Sequence, residues 1–192
     1  MILNNIPLYS GNLIHSSFAY SILREDVLAI GNIIAFRAPM EVTDNLVDLE
    51  DALEKDYIYS DDAINFCMEL PNVDMFGAVC FQRLFNTQIA NILSEIIGKH
   101  IKMKGDDIMV QAEHNQGGIV QQQGKASVSI ACVRNGAALI HTGINITAGN
   151  KAPAFAYSTK LTDDQANEFM NRVINTFYEI TDNIFVATAK TI

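Results

Sequence analysis

Two stretches of alternating residues meet at Asn135-Gly136, and this feature limits the number of possible folds more than any other part of the sequence. Residues 126–133 alternate small or polar side chains with apolar ones, and residues 137–146 do the same. Because Asn-Gly accepts positive φ at both central positions of a tight turn, these stretches are predicted to form an antiparallel hairpin.

Two longer segments carry helical periodicity. One apolar stripe within residues 81–97 predicts a helix, and Gly98 suits the left-handed residue that ends it. A second helix is predicted to begin at Thr162, since Thr162 and Gln165 fit a capping box. The residues expected on the buried faces are Phe85, Ile89, Ile92 and Ile96 in the first helix, and Phe169, Val173, Phe177 and Ile180 in the second.

The other elements follow from shorter patterns. Helices are predicted over 13–23, over 45–55 with Leu46, Leu49 and Leu53 facing inward, and over 61–70. Residues 27–36 read as a hairpin broken at Gly31-Asn32, and 108–112 as a strand. This order lacks regular βαβ alternation, so it predicts one α+β domain over residues 1–192 with a mixed, largely antiparallel central sheet flanked by helices.

Charge and composition exclude several classes of protein. The net charge is −9 and no basic run occurs, which argues against general nucleic-acid binding. No stretch approaches the ~20 apolar residues of a membrane span, and the N-terminus lacks the features of a secretory signal. Cys67, Cys80 and Cys132 are far apart and have apolar neighbours, so they are predicted to be buried thiols in a cytoplasmic protein.

Familiar catalytic motifs are missing. The sequence has no phosphate-binding P-loop, no dinucleotide fingerprint and no nucleophile elbow. The four histidines show no metal-ligand spacing among themselves or with cysteine, so no metal site is predicted.

Lys125 follows Gly124 and opens a strand of small residues. Small side chains leave room for a ligand beside the backbone, and an ammonium there could bind a carboxylate, a carbonyl or a phosphate. A surface lysine in a loop is the alternative, and the residues alone favour it by about two to one.

The returning strand separates two kinds of side chain. Ile140, Thr142, Ile144 and Ile146 share one face, whereas His141, Gly143 and Asn145 share the other. The second face offers hydrogen-bonding groups and an open gap at the glycine, which suits the floor of a ligand site. A half-solvated strand face is an equally good interpretation.

The segments IANILSEIIGKHIKMKGDDIMVQ and GKASVSIACVRNGAALIHTGINI resemble, in order and spacing, the central part of the biotin protein ligases and lipoate transferases. The resemblance implies that Lys125 contacts an acyl carbonyl and an activating phosphate; it leaves the cofactor open, with ATP as the candidate. Gly143 and Asn145 fall on the family's Gly-Ile-Asn triplet, and His141 resembles the histidine of the lipoate transferases. Asp106-Asp107 takes the place of the family's Asn-Asp pair.

Two departures leave the reaction open. The biotin ligases carry an Arg-rich loop that holds the adenylate, whereas this chain has isolated Arg24 and Arg37. The lipoate transferases carry a nucleophilic cysteine after the Asn-containing strand, and here the stretch is KAPAFAYS.

A broader resemblance covers most of the chain. Ser10-Gly11, the segment VDLED and Gln82-Arg83-Leu84 resemble domain-of-unknown-function family 366, whose members share the ligase-type fold, which is that of the class II synthetases. The resemblance implies an acyl-activating or acyl-transfer enzyme acting on a small carboxylate. The alternatives are a non-catalytic small-molecule or nucleotide-binding protein, and a subunit whose sheet edges pair in a homodimer.

Two charged features complete the candidate residues. The cluster of Asp48, Glu50, Asp51 and Glu54 could be a cation or amine site, although a solvated helix face is favoured by about three to one. Arg83 could clamp a carboxylate or phosphate, or pair with a surface acid.

Overall fold

The computed structural model describes residues 1–15, 17–24, 30–44, 46–54, 56–111, 113–115, 118–121 and 123–190. Its five helices are α1 (Gly11–His15), α2 (Phe18–Leu23), α3 (Leu49–Glu54), α4 (Met75–Ile97) and α5 (Asp163–Ala189). Its ten strands are β1 (Ile2–Leu3), β2 (Asn32–Val42), β3 (Ile58–Pro71), β4 (Ile101–Lys104), β5 (Asp107–Val110), β6 (Glu113–Asn115), β7 (Gly118–Gln121), β8 (Gly124–Lys125), β9 (Ser127–Arg134) and β10 (Ala137–Thr147).

The central sheet has the order β1-β2-β3-β10-β9. All its neighbours pair antiparallel except β1 and β2, so the predicted mixed, largely antiparallel sheet is confirmed. The hairpin is also confirmed, since Arg134 pairs with Ala137 and the two turn residues have φ of 52° and 76°. A smaller sheet, in the order β4-β5-β8, brings Lys125 beside the end of β5.

One face of the central sheet is covered by the two long helices. Ile64, Phe66 and Met68 of β3 pack there against α4 and α5 in the main apolar core. Both predicted helix ends are confirmed: Gly98 has φ 64° at the end of α4, and Thr162 caps α5 with a capping box. The opposite face is covered in part by α1 and α2, which enclose a second apolar cluster around Phe36 and Met40.

The helix predicted over 61–70 is wrong, because these residues lie in the middle of β3. Residues 63–70 are all buried, since this strand has neighbours on both edges and packed side chains on both faces. Burial on both faces removes the alternation that identifies a strand in sequence.

The hairpin predicted at Gly31-Asn32 is also wrong. Asn32 begins β2, which continues without a turn to Val42 and pairs along its length with β3. Residues 27–29 of that prediction lie outside the described residues. Of the predicted helix over 13–23, residues 13–15 lie in α1 and residues 18–23 in α2, and Ser16 lies outside the described residues.

Leu49 and Leu53 do not face inward as predicted. They are 72% and 74% exposed, so the outer side of the short helix α3 is apolar and its acids lie on the side of a cavity. Asn45 and Lys55, the two ends of the predicted helix, lie outside the described residues. That residues 1–192 form one domain stays a prediction.

Candidate functional site

A cavity of about 670 Å³ lies along β9 and β10 at the edge of the central sheet, and residues of α4 line part of it. Four of the six predicted site residues line it: Arg83, Lys125, His141 and Asn145. The hairpin supplies the floor, α3 and the segment after it supply one wall, and the Asp106-Asp107 turn supplies another. Lys125, His141 and Asn145 are therefore brought to a common space.

Lys125 is fixed by its backbone and by one ion pair. Its N–H donates to the Phe155 carbonyl and its own carbonyl accepts from the Tyr157 N–H, both at 2.8 Å. Its Nζ lies 2.7 Å from Asp107 Oδ1, and 29% of the side chain is exposed. The ammonium is thus anchored at the cavity wall and remains accessible to a ligand.

Gly124 is placed differently from its prediction as a ligand contact. A Cβ at this position would lie 2.9 Å from Tyr157 Cβ and 3.1 Å from the Phe155 carbonyl oxygen. Its missing side chain therefore lets the 155–157 segment pack against β8 and hold Lys125 in place. Gly124 is not among the residues that line the cavity.

His141 is a buried, neutral imidazole. Only 1% of the residue is exposed, and its ring stacks on Tyr9 at 3.6 Å with an interplanar angle of 8°. Asn65 donates from Nδ2 to the carbonyls of Ala38 and Ala63, so its Oδ1 faces His141 Nε2, 3.0 Å away, and accepts from it. Burial lowers the pKa of His141 to about 3, so the ring does not carry a charge near neutral pH.

Gly143 does not leave the open gap that its place in the strand predicts. A Cβ there would overlap the sulfur of Met40, which fills the space beside the glycine. The small residue accommodates a core methionine, and Gly143 is not among the lining residues.

Asn145 is 3% exposed and lines the cavity. Its backbone N–H donates to the Ala126 carbonyl at 2.9 Å, and its carbonyl accepts from the Thr159 hydroxyl at 2.7 Å. Its side-chain Oδ1 is buried and has no hydrogen-bond partner among the described residues. A buried acceptor without a partner costs free energy, so Asn145 is a natural place for a ligand to donate a hydrogen bond.

Arg83 lies on α4 at the cavity edge. Its Nη1 lies 3.3 Å from Asp106 Oδ1 and 2.5 Å from Gln82 Oε1. Asp106 and Asp107 thus each pair with one cation of the cavity. Arg83 therefore pairs with a nearby acid, and its role as a clamp for a ligand carboxylate or phosphate stays a prediction.

The acids in and beside α3 lie along one wall of the cavity, and their role as a cation or amine site stays a prediction. Asp48, Glu50, Asp51 and Asp56 all line the cavity, whereas Glu54 does not. Burial raises the pKa of Asp51, and the nearby Asp48 and Asp56 raise it further, while Lys125 lowers it. The wall is therefore a site of like-charge repulsion rather than only a solvated helix face.

The prediction about the cysteines has an outcome. Cys67 is buried and Cys132 is partly buried, but Cys80 is exposed on α4, so the prediction of three buried thiols is wrong for Cys80. Within the described residues, no three His, Cys, Asp or Glu side chains are placed to hold a metal ion. No helix in this part of the chain is long and apolar enough to cross a membrane.

The protein-family model described as "Domain of unknown function (DUF366)" matches residues 1–192. The chain belongs to this family. No protein of curated function matches the sequence significantly.

Solved structures, among them a biotin and a lipoate protein ligase, share the fold of this chain. A protein of unknown function from Pyrococcus horikoshi superposes with a TM-score of 0.80 at 24% identity, covering 100% of this chain and 97% of the other. A mutant biotin protein ligase from Aquifex aeolicus, in complex with biotin, has a TM-score of 0.56 at 12% identity, covering 94% and 71%. A lipoate-protein ligase A bound with ATP has a TM-score of 0.54 at 15% identity, covering 92% and 85%. At these identities the likeness shows the fold alone.

Proposed function

We propose that the cavity over the β9–β10 hairpin binds a small carboxylate, and that the protein activates or transfers its acyl group. One observation carries the proposal: Lys125 of β8 borders the same space as His141 and Asn145, which share one face of β10. Ligand sites are typically such cavities, with a few convergent polar groups. Two solved proteins of this fold bind biotin or ATP, and this supports a small-molecule ligand here.

Lys125 is the residue assigned to the reacting group. A substrate carboxylate would share or replace Asp107 as the partner of the ammonium, which is only 2.7 Å from that acid at present. A fixed positive charge beside the reacting carbonyl stabilises negative charge that develops there, and loss of one such group costs roughly 10²–10³ in rate. The neutral His141 orients the ligand and does not compete with Lys125 as a second cation.

The charge of the cavity determines whether ATP could bind there. Its described lining holds six carboxylates and two cations, and both cations are paired. This lining does not fit a triphosphate, so we derive no step through ATP and treat it as one arm of the test.

The same charge balance favours a second candidate, a non-catalytic binding protein. A cavity without an unpaired cation among the described residues suits a ligand that is held without chemistry. The fold does not decide between binding and catalysis.

The test is a thermal-shift screen of wild-type protein against biotin, lipoate, fatty acids, nucleosides and ATP. Each hit is repeated with Lys125→Met and with Lys102→Met, an exposed lysine outside the cavity that serves as the matched control. The proposal expects a carboxylate hit that is lost in the first variant and kept in the second. A hit that both variants keep would place the ligand elsewhere.

The variant Asp107→Asn tests whether Lys125 receives the ligand carboxylate. Removing the competing acid should strengthen carboxylate binding if Lys125 receives the ligand, because the ammonium then lacks its internal partner. Unchanged or weaker affinity would contradict that role. Turnover of the hit, followed with and without ATP by pyrophosphate release, separates an enzyme from a binding protein.

We also propose that the protein acts in the cytoplasm and pairs through sheet edges as a homodimer. Light scattering at several concentrations tests the second part, since a monomeric mass throughout would exclude it.

A further inference from the structure

Among the residues that the structure describes, the cavity has more acids than its two cations, Arg83 and Lys125, can pair with. Asp106 pairs with Arg83 and Asp107 with Lys125, which leaves the wall formed by Asp48, Glu50, Asp51 and Asp56. Asp48 has a structural task, since its Oδ1 accepts from the backbone N–H groups of Glu50 and Asp51. None of the ion pairs among the described residues involves Glu50, Asp51 or Asp56.

Asn145 points independently to the same kind of ligand. It is almost fully buried, it lines the cavity, and its Oδ1 lacks a partner among the described residues. An amide oxygen accepts hydrogen bonds and cannot donate them. What satisfies it must therefore bring an N–H or O–H group into the cavity.

Both features border the same cavity as Lys125. Asn145 is hydrogen-bonded to Ala126, the residue after Lys125, through its backbone N–H. Asp51 lies on the wall, where the charge of Lys125 lowers its pKa against the larger raising effects of burial, Asp48 and Asp56. A ligand held at Lys125 therefore shares its cavity with an acceptor on the floor and with acids on the wall.

We propose that the ligand of this cavity is a zwitterion, with a protonated amine bound by the acidic wall and Asn145 Oδ1 and a carboxylate directed to Lys125. This inference rests on the proposed function, because it takes the cavity as the substrate site and adds a second recognised group. An ammonium offers three donors and one positive charge, which matches an unpaired acceptor beside carboxylates that repel one another.

A divalent cation fits the wall less well than an ammonium. The described residues contain no group of three acids or histidines placed to hold a metal ion. An amine needs fewer ligands and also accounts for the orphan acceptor on Asn145. Charge-assisted hydrogen bonds of this kind are about twice as strong as neutral ones.

The test compares carboxylates that differ by one amine. Isothermal titration is performed with butyrate and γ-aminobutyrate, with caproate and its two amino derivatives, ε-aminocaproate and norleucine, and with hexylamine. Wild-type protein is compared with Asp51→Asn, Lys125→Met and Glu54→Gln. The last variant removes an acid of the same helix that is exposed and outside the cavity, so it is the matched control. The melting temperature of each unliganded variant confirms that it is folded.

We expect at least one amine-bearing compound to bind about tenfold or more tightly than its parent carboxylate. Asp51→Asn should remove most of this preference, and Glu54→Gln should keep it. Lys125→Met should lower the affinities for a parent carboxylate and for its amine derivative by the same factor. The affinity for hexylamine should not change.

Equal affinities for the two members of every pair would overturn the inference, as would a preference that persists in Asp51→Asn. In both cases carboxylate binding that still depends on Lys125 would leave the proposed function standing. Binding that Lys125→Met does not change would overturn the proposed function instead, and absence of binding by all the compounds would overturn the inference.

Discussion

The two faces of the central sheet are built by the same strands and differ in chemistry. On the helix-covered face, β3 and β10 present Phe66, Met68 and Ile144 to an apolar core. On the other face they present Asn65, His141 and Asn145, which are just as buried. Asn65 and His141 satisfy each other, whereas Asn145 Oδ1 is left without a partner among the described residues.

This difference indicates that one face of the sheet stabilises the fold and that the other face offers polar groups to a ligand. An apolar face gains free energy from burial alone, whereas buried polar groups cost free energy unless they are hydrogen-bonded. An unsatisfied acceptor costs about 1–3 kcal/mol. A chain that keeps such a group beside a cavity is therefore expected to use that face for a ligand, and the helix face for stability.

The largest expected effect tests the helix face. Phe177 packs its ring against Phe81, Phe85 and Tyr178, so Phe177→Ala should lower the free energy of unfolding by about 3–5 kcal/mol. Ligand affinity of the folded variant should stay unchanged. Urea denaturation measures the first quantity, and Phe185→Ala, an exposed position on the same helix, is the control with little effect. Weakened binding in folded Phe177→Ala would mean that the two faces do not have separate roles.

The next effect tests the neutral histidine of the cavity face. The folded pKa of His141 is lowered from 6.5 to about 3, so the unfolded chain takes up a proton as pH falls below about 6.5 while the folded chain does not. Stability is therefore lost on acidification, by about 2 kcal/mol at pH 5. Around the ring, the pKa values of Tyr9 and Cys67 are raised by burial, so both stay neutral over this range.

Urea unfolding at neutral pH and at about pH 5 measures this loss. His141→Phe should flatten the pH dependence, although it lowers overall stability by leaving Asn65 Oδ1 without its donor. His100→Gln, a change at an exposed histidine, should leave the dependence as it is in the wild type. An unaltered slope in His141→Phe would show that the pKa of His141 is the same in the folded and unfolded chain, which contradicts the lowered pKa.

A smaller effect is expected at Gly143. Because Met40 fills the space beside this glycine, Gly143→Ala should cost about 1 kcal/mol, the low end for overpacking, since a thioether is flexible. In the double variant with Met40→Ala the two costs should not add, and a double-mutant cycle by urea denaturation measures the coupling. Strict additivity would indicate that the two side chains do not meet.

The smallest effect belongs to the outer side of α3. Leu53 is 74% exposed, so Leu53→Ser should change the free energy of unfolding by less than about 0.5 kcal/mol. Thermal and urea unfolding measure it. A loss of more than about 1 kcal/mol in the free energy of unfolding would show that Leu53 faces inward, as the sequence pattern predicts.

The parts of the fold that sequence predicts well are those with local signals. The Asn135-Gly136 turn needs two positive φ values, and the ends of α4 and α5 depend on Gly98 and Thr162, each of which acts within a few residues. The alternation along β10 correctly separates Ile140 and Ile144 from His141 and Asn145.

The parts that sequence predicts poorly depend on distant neighbours. β3 is buried on both faces, so its apolar run has no period of two and resembles a helix in sequence. Tyr9 stacks on His141 across most of the chain length, and no local pattern indicates this contact. The acids of α3 form a cavity wall because Leu49 and Leu53 point outward, which a six-residue helix cannot reveal through periodicity.

The same distinction between local signals and distant contacts applies to the site residues. Strand alternation places His141 and Asn145 correctly beside the cavity, but it cannot show that Met40 occupies the space at Gly143. Gly124 packs against the 155–157 segment, which is far from it in sequence. The chemical roles assigned to these residues stay predictions.

A crystal structure of the protein soaked with a carboxylate hit shows whether the cavity beside the hairpin is the ligand site. We expect ligand density beside Lys125 Nζ and Asn145, with the Lys125–Asp107 ion pair opened or shared. Density confined to the other groove, around Arg37, Asp62 and Asp163, with the cavity over the hairpin empty, would contradict it.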